Sequence, residues 1–377
     1  MAELRKRNPL AAAVAAAADE EPEIEGPIRT EDLIHTGSTL LNLACSDRWE
    51  GGFGKGKVVN LVGESSTGKT LLALTCLAEC VYDARFKDYD LFLDDAENAL
   101  EFNLSKLFGQ KAQDRIKSPR YTKEGEPIPS ETIEDFYMTL MNKIQEETPF
   151  IYVLDSLDAL SSNPEMERAY EAALKQAEGN EEAAKGLSAS YKSEKARMAS
   201  EILRVIKARI KHTDSLVIVI SQTRDALNQT GYGPKKTRSG GKALKFYCTH
   251  EIWLTNVKTL KAKRGGVERI IGHTVQAKVS KNKITGKERD VQFNVYYSYG
   301  VDDLSSCCNF LATCGVLKKK GAKYSCQALG IDGELLGDIV KIVEKDKAKV
   351  RKVRELCDKE WKAIEKAMEL DRTPRFR

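Results

Sequence analysis

No apolar run in the 377-residue chain approaches the roughly 20 residues that a membrane-spanning helix needs. Histidine is scarce, four scattered residues in all, so a zinc site built on imidazoles is not expected. The nine cysteines are odd in number and lack C-x-x-C spacing. Several, such as Cys76 and Cys80, fall within apolar helical patterns and read as reduced core thiols of a cytoplasmic protein. Charge of one sign is also missing: 60 Lys and Arg against 56 Asp and Glu leave +4, so any nucleic-acid surface must come from local clustering. Leu10–Ala18 follows Arg5, Lys6 and Arg7 as a signal peptide would, but it is almost all Ala and runs into acidic residues, so secretion is not expected.

What is present is length for one large α/β core and a small appended domain. The chain is organised around one stretch. A β-branched apolar run, Val58 to Val62, breaks into Gly63-Glu64-Ser65-Ser66-Thr67-Gly68-Lys69-Thr70, and a helical pattern follows from Leu71 to Val81. Strand, Gly-x-x-x-x-Gly-Lys-Thr loop and helix form the context of a phosphate-binding P-loop. Glycines let backbone N–H groups curl around a polyphosphate, and the helix adds its positive end. In that pattern Lys69 neutralises the β- and γ-phosphates, and the Thr70 hydroxyl takes a Mg²⁺ position. The expected cofactors are ATP and Mg²⁺.

Residues 8–19 read as a short Ala-rich helix, too short to be stable alone, and 20–27 as an acidic linker. Thr36 to Leu43 is a cap followed by apolar residues. A second strand, Leu91 to Leu93, ends in Asp94-Asp95-Ala96-Glu97, which places carboxylates where open α/β sheets bind ligands. A third, Phe150 to Ser156, has the Walker B pattern, a buried strand delivering Asp155 toward the metal. Residues 161–192 are rich in Glu, Lys and Ala, could form helices with little apolar face, and read as an exposed insertion or mobile loop. An amphipathic helix resumes over Ala199–Lys211, and Leu216 to Ser221 is a fourth buried strand, ending in Gln222-Thr223-Arg224. From Asp225 to Leu244 no periodicity survives, and glycines alternate with cations. Strand patterns follow at Glu251–Leu254, Thr274–Val279 and Val291–Tyr297. From Asp303 the chain reads as helical and charged, ending in a basic tail.

Taken in order, these motifs resemble the bacterial and phage RecA-type recombinases from about Thr36 to Ser325. The resemblance rests on the P-loop, Phe92-Leu93-Asp94-Asp95-Ala96-Glu97-Asn98-Ala99-Leu100, Val153-Leu154-Asp155-Ser156 and Ser221-Gln222. It continues through Gly240-Gly241-Lys242-Ala243-Leu244-Lys245-Phe246-Tyr247, Val279-Ser280-Lys281-Asn282-Lys283 and Gly321-Ala322-Lys323-Tyr324-Ser325. It implies that Glu97 orients the water attacking the γ-phosphate, that Gln222 senses that phosphate, and that Lys281 and Lys283 reach a neighbouring subunit's ATP. It further implies that Phe246 lies at the subunit interface and relays nucleotide state. Glu101 joins the P-loop residues and Asp155 in the expected nucleotide-binding set. Loop 225–243 resembles the second DNA-binding loop, with Arg224, Lys235, Lys236, Arg238, Gly240, Gly241 and Lys242 as DNA contacts. The first DNA loop falls within 161–198, where Arg197 and Met198 resemble its final turn.

The chain departs from the family pattern in three places. The 161–198 segment is longer and more acidic than the usual loop, no tyrosine follows Ala99-Leu100 where relatives stack adenine, and the tail is basic. Phe102 or Leu104 stands in the stacking neighbourhood.

The expected architecture is a RecA-like α/β core with a mostly parallel sheet over 36–300. A protomer-docking helix and linker precede it (1–35), and a small α-rich domain with a basic tail follows (301–377). The resemblance implies a cytoplasmic DNA-dependent ATPase that forms a filament on single-stranded DNA, pairs it with homologous duplex, and works with a single-strand-binding or mediator protein. A hexameric helicase or motor on the same fold, or an ATP- and DNA-binding accessory protein without strand exchange, are the rival readings.

Overall fold

The structure is a computed structural model that describes residues 28–100, 103–177, 191–225, 236–238, 241–373 and 375. The expected N-terminal helix and linker, Glu101, Phe102, Lys235 and Gly240 lie outside the described residues. A 10-stranded sheet runs through the described part. Its central strands are parallel, in the spatial order Ile116–Lys117, Asp90–Asp95, Phe150–Asp155, Leu216–Asp225, Lys57–Gly63 and His250–Arg264. Val267–Asn282, Arg289–Tyr296 and Gly300–Asp302 extend it antiparallel.

Period-2 alternation explains why the parallel strands are apolar throughout. In Phe150–Asp155, Ile151 and Val153 enter the core cluster formed with the helix Lys69–Tyr82. Phe150, Tyr152 and Leu154 enter the opposite one, with the helices Ile133–Gln145 and Tyr191–Ile210. Ser38 caps the helix Thr39–Ser46, as the Thr-Gly-Ser-Thr run predicts. All nine cysteines are free thiols, eight of them buried.

Four sequence expectations need correction. Asn163–Ala177 is a helix, as the Glu-, Lys- and Ala-rich composition allows, but the next helix begins at Tyr191 rather than Ala199. Within Asp225–Leu244, Lys236–Arg238 is a strand antiparallel to the end of Leu216–Asp225, and a helix starts at Gly241. The Glu251 and Thr274 strands are far longer than their apolar cores, because they continue as a hairpin whose outer part is exposed on both faces. The chain after Asp303 is not uniformly helical. Lys318–Lys320, Lys323–Cys326 and Ile331–Glu334 make a three-stranded sheet, with left-handed glycines at its Gly321 and Gly330 turns. Its first strand is entirely lysine and exposed, so no apolar alternation announces it.

The C-terminal helix Lys347–Ala367 is held to the core by charge as well as packing. Asp303, buried, accepts from Thr39 N (2.6 Å) and Thr39 Oγ1 (2.8 Å) and meets Arg354 at 3.0 Å. Burial alone would raise the Asp303 pKa, but Arg354, His35 and the Thr39 hydrogen bonds outweigh it and hold the carboxyl below its ordinary value. A depressed native pKa contributes stability above the unfolded-state value that is lost as pH falls through the native one. Asp303→Asn is therefore expected to destabilise the fold at pH 7 by on the order of 3 kcal/mol, since it leaves Arg354 without its buried partner. Calorimetry over a pH series should show the gap to wild type narrowing as acid protonates Asp303 itself.

Candidate nucleotide site

The phosphate loop sits between the strand Lys57–Gly63 and the helix Lys69–Tyr82. Gly63 has no room for a side chain: a Cβ there would lie 2.5 Å from Thr67 Oγ1 and 2.8 Å from the Leu254 carbonyl oxygen. Gly68, at φ +83°, turns the chain into the helix. Thr67 Oγ1 donates to Glu64 O at 2.9 Å, and Asn256 Nδ2 reaches across from the next strand to Ser66 O at 3.1 Å. Glu64, Ser65 and Ser66 are exposed, whereas Thr67 and Lys69 are buried. The Lys69 ammonium is held by the carbonyls of Gly63 (3.1 Å) and Glu64 (2.6 Å), and burial lowers its pKa.

Neighbouring strand ends supply the carboxylates. Thr70 Oγ1 donates to Asp155 Oδ2 at 2.5 Å. Burial pushes Asp155 up to about 6, against the Thr70 hydrogen bond. A hydroxyl beside a desolvated carboxylate suits Mg²⁺, a hard cation that takes one or two protein oxygens and completes its shell with phosphate and water. A cation there would favour the ionised form of Asp155. Among the described residues no cluster of three or more His, Cys, Asp or Glu side chains offers an all-protein metal cage.

Asp94 and Asp95 divide by pleat. Asp94 is fully buried, accepting from Ser130 N (2.8 Å), Ser130 Oγ (2.6 Å) and Tyr152 Oη (2.5 Å), and is structural. Asp95 lines the cavity and accepts from the Leu100 amide at 2.9 Å, shaping the turn that carries Glu97. Glu97 is exposed at the cavity, its amide donating to Asp155 O at 3.1 Å. Its Oε1 accepts from Ser156 Oγ (2.5 Å) and from Gln222 Nε2 (2.9 Å). The structure thus brings Lys69, Thr70, Asp155, Glu97 and Gln222 together from four separate sequence stretches.

The cavity has a volume of about 400 Å³, within the range of small-molecule sites. Ser66 to Leu71 line one end, and an apolar part is formed by Leu100, Leu107, Val275 and Val295 with His273 and Tyr297. Asn256, His273 and Tyr297 were not singled out by sequence reasoning. Asn256 lies on the last of the parallel strands, His273 on its antiparallel neighbour and Tyr297 just past the end of Arg289–Tyr296, all 187 or more residues from the P-loop lysine and without a motif.

Lys281, Lys283 and Phe246 stand elsewhere and do not line this cavity. Lys281 Nζ donates to the carbonyls of Lys245 and Phe246, and the Phe246 side chain is 71% exposed. Lys283 is exposed just past the strand end, its amide donating to Thr249 O at 3.1 Å. Arg197 lies in the helix Tyr191–Ile210, Arg224 in the strand Leu216–Asp225, Lys236 and Arg238 in the short strand paired to it, and Gly241 and Lys242 at the start of the next helix.

A Gly-x-x-x-x-Gly-Lys-Thr loop at the end of a parallel strand, with acidic residues on the adjoining strand ends, defines a P-loop nucleoside triphosphatase core. Residues 25–302 match the family model described as the RecA N-terminal domain. Protein RecA of Oleidesulfovibrio alaskensis is 30% identical over 294 residues, 78% of this chain and 73% of that protein. Protein RecA of Sulfurovum sp. is 28% identical over 340 residues, and that of Campylobacter jejuni subsp. doylei 29% over 343, each covering 90% of this chain and 86% of the relative. The chain belongs to the RecA family.

Proposed function

We propose that this RecA-family recombinase, acting in recombination and repair, is a DNA-dependent ATPase that assembles as a filament on single-stranded DNA. In this reading it pairs the bound strand with homologous duplex. One observation carries the coupling of ATP to DNA, the 2.9 Å hydrogen bond from Gln222 Nε2 to Glu97 Oε1.

The γ-phosphate end of ATP would meet Lys69, which supplies the positive charge that the developing transition state needs. Thr70 and Asp155 would hold Mg²⁺, which would offset the negative charge of the polyphosphate as it reacts. Glu97 accepts the hydrogen bond that orients the attacking water. While Gln222 donates to Oε1, that acceptor is partly occupied; if Gln222 turns to a phosphate oxygen, Glu97 is freed for water. The same strand runs on to Arg224 and Asp225 at the start of the cation- and glycine-rich segment to residue 243. DNA bound by Lys235, Lys236, Arg238 and Lys242 together with Arg197 and Arg224 would bias Gln222 and hence hydrolysis. Gly240 and Gly241 would let the backbone approach phosphate closely.

Lys281, Lys283 and Phe246 are proposed to serve the neighbouring subunit, because they do not line their own chain's cavity. Replacing both lysines with alanine should leave ATP affinity of the dilute, DNA-free protein within about twofold of wild type. DNA-stimulated turnover should fall by about a hundredfold, the scale for losing transition-state charge stabilisation. Nucleotide titration alongside steady-state hydrolysis decides the point. Parallel losses of monomer binding and turnover would place these lysines in the chain's own site.

A further inference from the structure

We propose that His273 is a positioning residue for the nucleobase: its hydrogen bond fixes the Tyr297 ring as one wall of the base end of the cavity. The inference rests on the nucleotide reading of that cavity. Lys69 and Thr70 mark the phosphate end, so the apolar part, with Leu100, Leu107, Val275 and Val295, is left for the base. Among the described lining residues Tyr297 is the phenol ring, and it is 58% exposed, with little packing of its own to choose a rotamer.

His273 supplies that choice. Its Nε2 lies 2.8 Å from Tyr297 Oη, and the rings meet edge to face, centroids 5.9 Å apart and planes at 63°. The backbone beneath is rigid: His273 pairs with Val295 in the sheet, and Tyr297 N donates to Ile271 O at 3.0 Å. His273 Nδ1 is buried without a hydrogen-bond partner among the described residues. An orphaned N–H is costlier than an orphaned lone pair, so the proton belongs on Nε2, which donates to the phenol oxygen. A side chain ordered in advance loses less rotamer freedom when the ligand arrives.

The test uses the full chain with single-stranded DNA and compares His273→Ala, His273→Gln and Tyr297→Phe with wild type. For His273→Ala the KM for ATP should rise about tenfold with kcat within about twofold, the pattern for lost uniform binding. Tyr297→Phe, which keeps the ring but loses the hydroxyl, should move the same way, and combining it with His273→Ala should add little, because both break one bond. Glutamine can place an N–H where Nε2 lies and should recover most of the loss. Ribose 5-triphosphate, which has no base, should bind wild type and His273→Ala equally. Unchanged KM in both single variants overturns the inference. So does equal weakening toward ATP and ribose triphosphate, or a fall in kcat and Tm that glutamine does not rescue. Failure of wild type to bind either triphosphate would instead overturn the nucleotide reading beneath it.

Discussion

Lys69→Ala should reduce DNA-stimulated ATP hydrolysis by at least about a hundredfold, the usual cost of removing one preorganised group that meets transition-state charge. The magnitude follows from where the ammonium sits. It is buried within the phosphate loop and held by the loop's own carbonyls, so the loop positions it before any ligand arrives. Burial lowers its pKa by penalising its charge, an energetic cost that an incoming polyphosphate would relieve. The charged groups acting on it are acidic, Asp155 foremost, so among the described residues no neighbouring cation is placed to substitute. Steady-state turnover measured with saturating DNA checks the prediction. Hydrolysis within tenfold of wild type would remove the phosphate-loop assignment.

Glu97→Gln should separate binding from chemistry. The amide keeps the size of the carboxylate and can still accept from Ser156 Oγ and Gln222 Nε2, which hold Oε1 in the native protein. It cannot take a proton from water. A loss of about 10² to 10⁴ in turnover is the range for a missing general base, while ATP affinity should change little because Glu97 is not in the phosphate loop. Rapid-mix ATP binding measured beside single-turnover hydrolysis distinguishes the two effects. A variant that no longer binds ATP would make Glu97 a structural residue of the turn that Asp95 shapes.

How much of this was legible in the sequence depended on whether a feature is local. The P-loop could be read because its turn, its lysine and its helix are contiguous, and the fold satisfies them with short-range bonds such as Thr67 to Glu64. The buried strands could be read because parallel strands covered on both faces are apolar at every position. The sequence placed carboxylates at the Asp94–Glu97 strand end without separating them; the pleat did that, sending Asp94 inward to Tyr152 and Ser130 and leaving Asp95 at the cavity. The Tyr297 wall escaped notice because its partner, His273, is contributed by a different strand, and only sheet register brings the two together. The lysine strand Lys318–Lys320 was missed for a complementary reason. Its conformation is set by Gly321 and by pairing with Lys323–Cys326, not by an apolar face of its own.

The Glu97→Gln protein also provides the most direct measurement of the central claim, that this is a RecA-family ATPase whose active form is a filament on DNA. Mixed with ATP, Mg²⁺ and single-stranded DNA and examined by electron microscopy, it should form continuous helical filaments that persist, because the nucleotide is not consumed. Closed hexameric rings, or bare DNA with dispersed monomers under conditions where ATP binding is verified, would contradict the account.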